Sequence, residues 1–298
     1  MSEYLLKNEK LTITVNDLGA ELTSLLDPRT NTEYLWNADP AYWKRYSPVL
    51  FPFVGSLQNK SYQDQGVEYS MSQHGFARDM VFTLKEQRDN TIWFYLEATE
   101  ETLNVYPYPF VLEIGYELTD RKVKVLWKVT NPGTNDLHFS LGAHPGFMCP
   151  LHSGEEQSDY YIGFDTNQPL HYMLINEKGL LQKKPFEAQD TLMTDSDGFL
   201  PIRSDLFDRD ALIIEQDQSH RVFLAGPDRK PYLGVSFEAP LFGLWSPAKK
   251  NAPFVCIEPW YGRCDSAEFH GTLKERDYTN HLAPGQIFEA AYEIEIIK

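Results

Sequence analysis

Strict alternation of apolar and polar residues recurs along this chain and confines it to a β architecture. Leu11, Ile13 and Val15 alternate with Thr12 and Thr14. Leu112, Ile114, Tyr116 and Leu118 alternate with Glu113, Gly115 and Glu117, and Val123, Val125, Trp127 and Val129 with Lys124, Leu126 and Lys128. Near the end, Phe288, Ala290, Tyr292, Ile294 and Ile296 alternate with Glu289, Ala291, Glu293 and Glu295. Side chains at i and i+2 share one face of a strand, so each run offers one face to a core. Turn signals separate the runs: Asp27-Pro28, Asn131-Pro132-Gly133, Asp195-Ser196-Asp197-Gly198, Gly226-Pro227-Asp228 and Ala283-Pro284-Gly285. Helical patterns are scarce. Asp39-Pro40-Ala41-Tyr42-Trp43 predicts one short helix of about two turns, with Asp39 as N-cap and proline at the first helical position. No βαβ alternation occurs and no glycine-rich phosphate loop follows a strand, which removes dinucleotide-binding and P-loop readings.

All-β domains often run to roughly 200–250 residues as one unit. This chain of 298 residues has no internal repeat, low-complexity tract or linker. It is read as one domain over residues 1–298, an antiparallel sandwich or a distorted barrel. Three cysteines, Cys149, Cys256 and Cys264, are too few and too widely spaced for a disulfide framework and form no CxxC pair. They read as small buried or half-exposed thiols in a reducing compartment. The first residues lack the apolar stretch of a signal peptide, and nowhere do about 18 apolar residues run together, so no membrane partner is expected and the cytoplasm is the default. The formal net charge of −16, with no basic stripe, makes nucleic acid an unsuitable partner. Six Trp, 17 Tyr and 18 Phe suit either a wide β core or a groove whose aromatic faces stack on sugar rings.

Four segments break the alternation and gather polar groups among apolar neighbours. In Gln73-His74-Gly75-Phe76-Ala77-Arg78-Asp79 an imidazole and a guanidinium can face one cavity; the plainer reading is a turn in which His74 bonds to backbone and Arg78 pairs with Asp79. In Ser140-Leu141-Gly142-Ala143-His144-Pro145-Gly146-Phe147 the proline biases His144 to extended geometry and can hold its ring in one orientation, as a general acid requires. In Phe254-Val255-Cys256-Ile257-Glu258-Pro259-Trp260 a carboxylate ends an apolar strand, where lost hydration raises its pKa towards the range of a general base, and Trp260 can wall a sugar face. A core histidine bonded to a carbonyl and a structural ion pair are the plainer readings of these two. The acidic end of Leu206-Phe207-Asp208-Arg209-Asp210 can hold sugar hydroxyls or be a solvated turn. No metal-ligand spacing such as HxxxH appears, and no metal or cofactor is expected.

These segments, with Leu18-Gly19-Ala20-Glu21-Leu22, Pro48-Val49-Leu50-Phe51-Pro52-Phe53-Val54-Gly55 and Pro107-Tyr108-Pro109-Phe110, resemble the aldose 1-epimerase (galactose mutarotase-like) family nearly end to end, most closely its bacterial LacX-type branch. The resemblance implies a large antiparallel β-sandwich with an open sugar-binding cleft and no cofactor. It implies Glu258 as the base that removes the C1 hydroxyl proton and His144 as the acid that protonates the ring oxygen. His74 matches a second histidine that hydrogen-bonds the sugar, and Asp210 the acid that holds a sugar hydroxyl, with Asp208 as competitor. One position departs: where the family usually carries an arginine that contacts the sugar, this chain has Ser56, and a neutral hydroxyl cannot replace a forked cationic donor. Arg78 is the candidate to supply that charge. The expected substrate is a free aldose such as galactose or glucose, since no arginine cluster for a sugar phosphate is evident. The alternatives are a hexose-6-phosphate 1-epimerase, a sugar-binding or regulatory protein of the same fold, and a two-carboxylate glycoside hydrolase, which needs paired acids about 5–10 Å apart.

Overall fold

The computed structural model describes residues 2–298. Its central layer is a nine-stranded antiparallel sheet. Val111–Thr119, Lys122–Thr130 and Ile287–Ile296 lie side by side at its middle, where three of the alternating segments fall. Charge pins their register. Glu113 stands opposite Lys128 and Glu117 opposite Lys124, while Lys122, Lys124 and Lys128 stand opposite Glu295, Glu293 and Glu289 on the other side. A slip of one residue would turn every side chain of a strand to the wrong face and set these charges against apolar neighbours. The alternation has one exception: Glu113, on the polar phase, is only 6% exposed. It keeps its charge partnered by ion pairs to Lys85 and, at 3.8 Å, to Lys128.

The second layer is a six-stranded sheet built around the strand Phe254–Tyr261. Val255 and Ile257 belong to the main apolar core, together with Val125, Tyr292 and Ile294 of the first sheet. Ring contacts join the layers at Tyr261 with Phe288 and Trp127. Because strand side chains alternate, Phe254, Cys256, Glu258 and Trp260 point away from that core. A four-stranded N-terminal sheet, Glu3–Lys7, Thr12–Asn16, Leu22–Asp27 and Thr32–Glu33, adds Leu11, Ile13, Val15, Leu22 and Leu25 to the core. The result is the sandwich, not the barrel. All three cysteines are free and buried. Among the described residues no helix is long and apolar enough to cross a membrane.

The two-turn helix expected at residues 39–43 is not formed. Asp39 does cap, accepting from Ala41 N at 2.9 Å, and Tyr42 N and Trp43 N donate to Asp39 O at 3.0 Å. A second turn would need the Trp43 carbonyl and the backbone N–H groups that follow it. The Trp36 indole takes that carbonyl, and Tyr46 N and Ser47 N donate to the half-buried Glu21 carboxylate instead. Tertiary partners outbid local helix bonds, and a single turn results.

Candidate active site

Two short strands, Leu141–Ala143 and Gly146–Met148, pair with one edge of Phe254–Tyr261. Gly142 stands opposite Trp260 and Gly146 opposite Cys256. The register is the same on both sides of the break between them, so His144 falls directly opposite Glu258. Directly opposed residues of antiparallel strands project on one face with β-carbons about 4.5–5.5 Å apart. Here His144 Nε2 lies 3.2 Å from Glu258 Oε2. Each of the two precedes a proline, which favours the extended backbone found there. On the other edge of Phe254–Tyr261 the residue opposite Glu258 is Gly243, which offers no side chain to crowd the carboxyl.

Trp260 shares the Glu258 face and is 5% exposed. Its indole rests on Gly142 and Gly243: a β-carbon would come within 2.7 Å and 2.6 Å of the ring respectively. Two rings that the sequence did not single out for this site enclose His144. Trp43, carried by the 39–43 turn, stacks on the imidazole at 4.7 Å, and Trp245, opposite Cys256, meets it edge-on at 5.3 Å. Neither carries a local signal, since only the pairing of distant segments brings them to His144.

His74 closes another side, its ring 5.7 Å from His144 and nearly perpendicular. Gly55 N donates to His74 Nδ1 at 3.1 Å, so the neutral ring carries its proton on Nε2. Arg78 donates to Gln73 O at 2.7 Å and lies 3.7 Å from the Asp79 carboxylate, which Arg45 also holds at 2.9 Å. Burial and the neighbouring Arg45 lower Arg78 to about 10. Asp210 is exposed with φ 73° and accepts from Ala211 N at 2.8 Å. Its charge lies near enough to Glu258 to act on the carboxyl. Ser56 abuts Gly179, and its carbonyl accepts from Asp265 N.

Burial governs the protonation of the pair. Desolvation holds the Glu258 carboxyl well above the usual carboxylate range, with the Asp210 charge adding. Desolvation first, then the charges of Arg78 and Arg45, lowers His144 to about 3 and drives His74 in the same direction. Burial thus disfavours the charged form of both groups, and a proton passed from the carboxyl to the imidazole gives an acid and a base without changing the proton count. His144, Cys256 and Glu258 also bring three potential metal-ligand atoms within 4.8 Å of one another. A separate cavity of about 600 Å³, lined by Asp64, Tyr108, Asp136, His138, Thr272 and Lys274 among others, shares no residue with this site.

The chain belongs to the aldose 1-epimerase family, whose model matches residues 2–294. It is 34% identical over 301 residues to the chromosomal protein LacX of Lactococcus lactis subsp. lactis, covering 98% of each chain. The structure is similar to that of a galactose mutarotase related enzyme from Lactobacillus acidophilus, with TM-score 0.90 and 31% identity over 100% of this chain and 98% of that one. A galactose mutarotase-like protein from Lactobacillus casei ATCC 334 also has TM-score 0.90, with 29% identity over 99% of this chain and 100% of that one.

Proposed function

We propose that this protein is a cofactor-free mutarotase that interconverts the α and β anomers of a free aldose such as galactose or glucose. The observation that carries this reading is the opposition of His144 and Glu258 at 3.2 Å on one sheet face. Glu258 takes the proton of the C1 hydroxyl while His144 protonates the ring oxygen. The C1–C2 bond of the open aldehyde rotates, and reclosure with the proton movements reversed delivers either anomer. Sugar hydroxyls that hydrogen-bond the pair stabilise its charged form, imidazolium and carboxylate, which desolvation disfavours in the empty site. His74, with its proton on Nε2, and Asp210 hold sugar oxygens, Arg78 supplies the cation that Ser56 does not, and Trp260 forms a wall. Trp43 and Trp245 fix the His144 ring. The whole chain works as one domain.

A polarimetric screen across glucose, galactose and other aldoses, with hexose 6-phosphates included, tests activity and substrate class together. In Glu258→Gln the conversion rate is expected to fall by about 10²-fold or more, the usual size of a general acid–base contribution. A fully active variant ends the assignment. Ser56 favours a second reading, a sugar-binding protein with little catalysis. Calorimetric sugar binding with no mutarotation above the spontaneous rate would select it.

A further inference from the structure

We propose that the floor of this site also binds a soft divalent cation of the Zn2+ type through His144, Cys256 and Glu258, and that the bound cation shuts off the acid–base chemistry. Cys256 precedes Glu258 by two residues and so shares its face of the strand. Opposite it stands Gly146, which adds no side chain of its own beside the sulfur, and the thiol is fully buried in a cluster with Trp36 and Phe254. The three donor atoms lie within 4.8 Å of one another, and among the described residues no other group of three His, Cys, Asp or Glu side chains comes together in this way. Bond lengths of about 2.3 Å to sulfur and 2.0–2.2 Å to nitrogen and oxygen put tetrahedral donors roughly 3.3–3.7 Å apart, so small rotations of three side chains close the site.

A second observation points to a ligand. Glu258 is 1% exposed, yet its Oε2 has no hydrogen-bond partner: His144 Nε2 is 3.2 Å away but not aligned for a bond. A buried acceptor left in this way is poised for an atom that both groups can reach. The donor set of one nitrogen, one sulfur and one oxygen suits zinc, cobalt or copper and disfavours magnesium and calcium, which take oxygen ligands. Three protein ligands leave a fourth position open towards the sugar. Binding displaces the thiol and carboxyl protons, and the imidazole and carboxylate lone pairs then face the metal and cannot move protons. The inhibition rests on the mutarotase reading; the binding does not.

The test uses the full chain after chelator treatment. Addition of Co2+ is expected to produce a thiolate-to-cobalt charge-transfer band in the near ultraviolet, displaced by Zn2+ and absent in Cys256→Ser, where circular dichroism checks folding. In polarimetry, Zn2+ suppresses the wild-type rate and EDTA restores it. Relative to its own metal-free rate, Cys256→Ser needs about tenfold more Zn2+ or beyond for half-inhibition, since loss of even an outer-shell partner costs 10–100-fold in metal affinity. No thiolate band in the wild type, or the same band in Cys256→Ser, overturns the site. A Cys256-dependent band in a protein without mutarotation would keep the metal site and remove the enzymatic reading. Active enzyme indifferent to Zn2+ does the reverse.

Discussion

Glutamine at position 258 keeps the shape of the glutamate and abolishes its titration, so Glu258→Gln measures what the buried carboxyl costs the fold. The folded pKa of Glu258 lies well above its unfolded value of 4.5 because burial penalises the charged form. The native state then holds a proton that the unfolded chain has released. Stability falls as pH rises from 4.5 towards the folded pKa, by about 1.4 kcal/mol for each unit of the shift. His144 works in another window. Its folded value of about 3 lies below the unfolded 6.5, so its contribution is complete above pH 6.5 and declines as pH falls from there. At pH 7.5 the comparison therefore isolates Glu258. The glutamine variant should unfold later than wild type, by more than about 1 kcal/mol, or about 2 °C in melting temperature at this chain length. The gain should shrink to nothing near pH 4.5. Urea titration at the two pH values reads the difference directly. A loss of about 3–5 kcal/mol at pH 7.5 would refute the reasoning, because that is the signature of breaking a buried ion pair. The empty site would then hold imidazolium and carboxylate.

Four further outcomes follow from the same geometry. His144→Asn should lower the mutarotation rate by about 10²-fold or more. In the wild type, kcat/KM should show no inflection near pH 6.5, because burial and Arg78 move His144 down to about 3; an acid limb at the ordinary histidine position would contradict this. Gly243→Ala places a β-carbon 2.6 Å from the Trp260 ring and should destabilise the protein by about 1–3 kcal/mol in urea, as overpacking does. Arg78→Gln should raise KM by about tenfold or more, the worth of a hydrogen bond to a charged group, with a smaller effect on kcat. An unchanged KM would confine the guanidinium to its bond with Gln73 and its pairing with Asp79.

The sandwich was legible because period 2 is a local property: the runs at 112–118, 123–129 and 288–296 each declare a strand without reference to any other part of the chain. Their charges also carry part of the register, as the lysines at 124 and 128 show against Glu117 and Glu113. The exceptions arise where a tertiary partner reverses a local preference. Glu113 sits on the polar phase yet is buried, because two lysines reach it. The turn at Asp39 stops after one cycle, because Trp36 and Glu21 take the groups a longer helix would use.

The candidate site is non-local to a greater degree. Nothing within Ala143-His144-Pro145 or Ile257-Glu258-Pro259 says that the two segments are neighbours, and each alone reads equally well as an ordinary core histidine or a structural carboxylate. Resemblance named both residues; the register gives a physical reason for their meeting. Gly142 against Trp260 and Gly146 against Cys256 leave positions 144 and 258 no alternative but to face each other. Trp245 had no claim to the site from sequence because its relevance depends wholly on which strand lies alongside: it stands opposite Cys256 and meets the His144 ring. A one-residue slip of the 141–148 segment would therefore part the acid from the base and the thiol from both. Gly142 under Trp260 guards against it, because any other residue of the segment brought to that position would strike the indole.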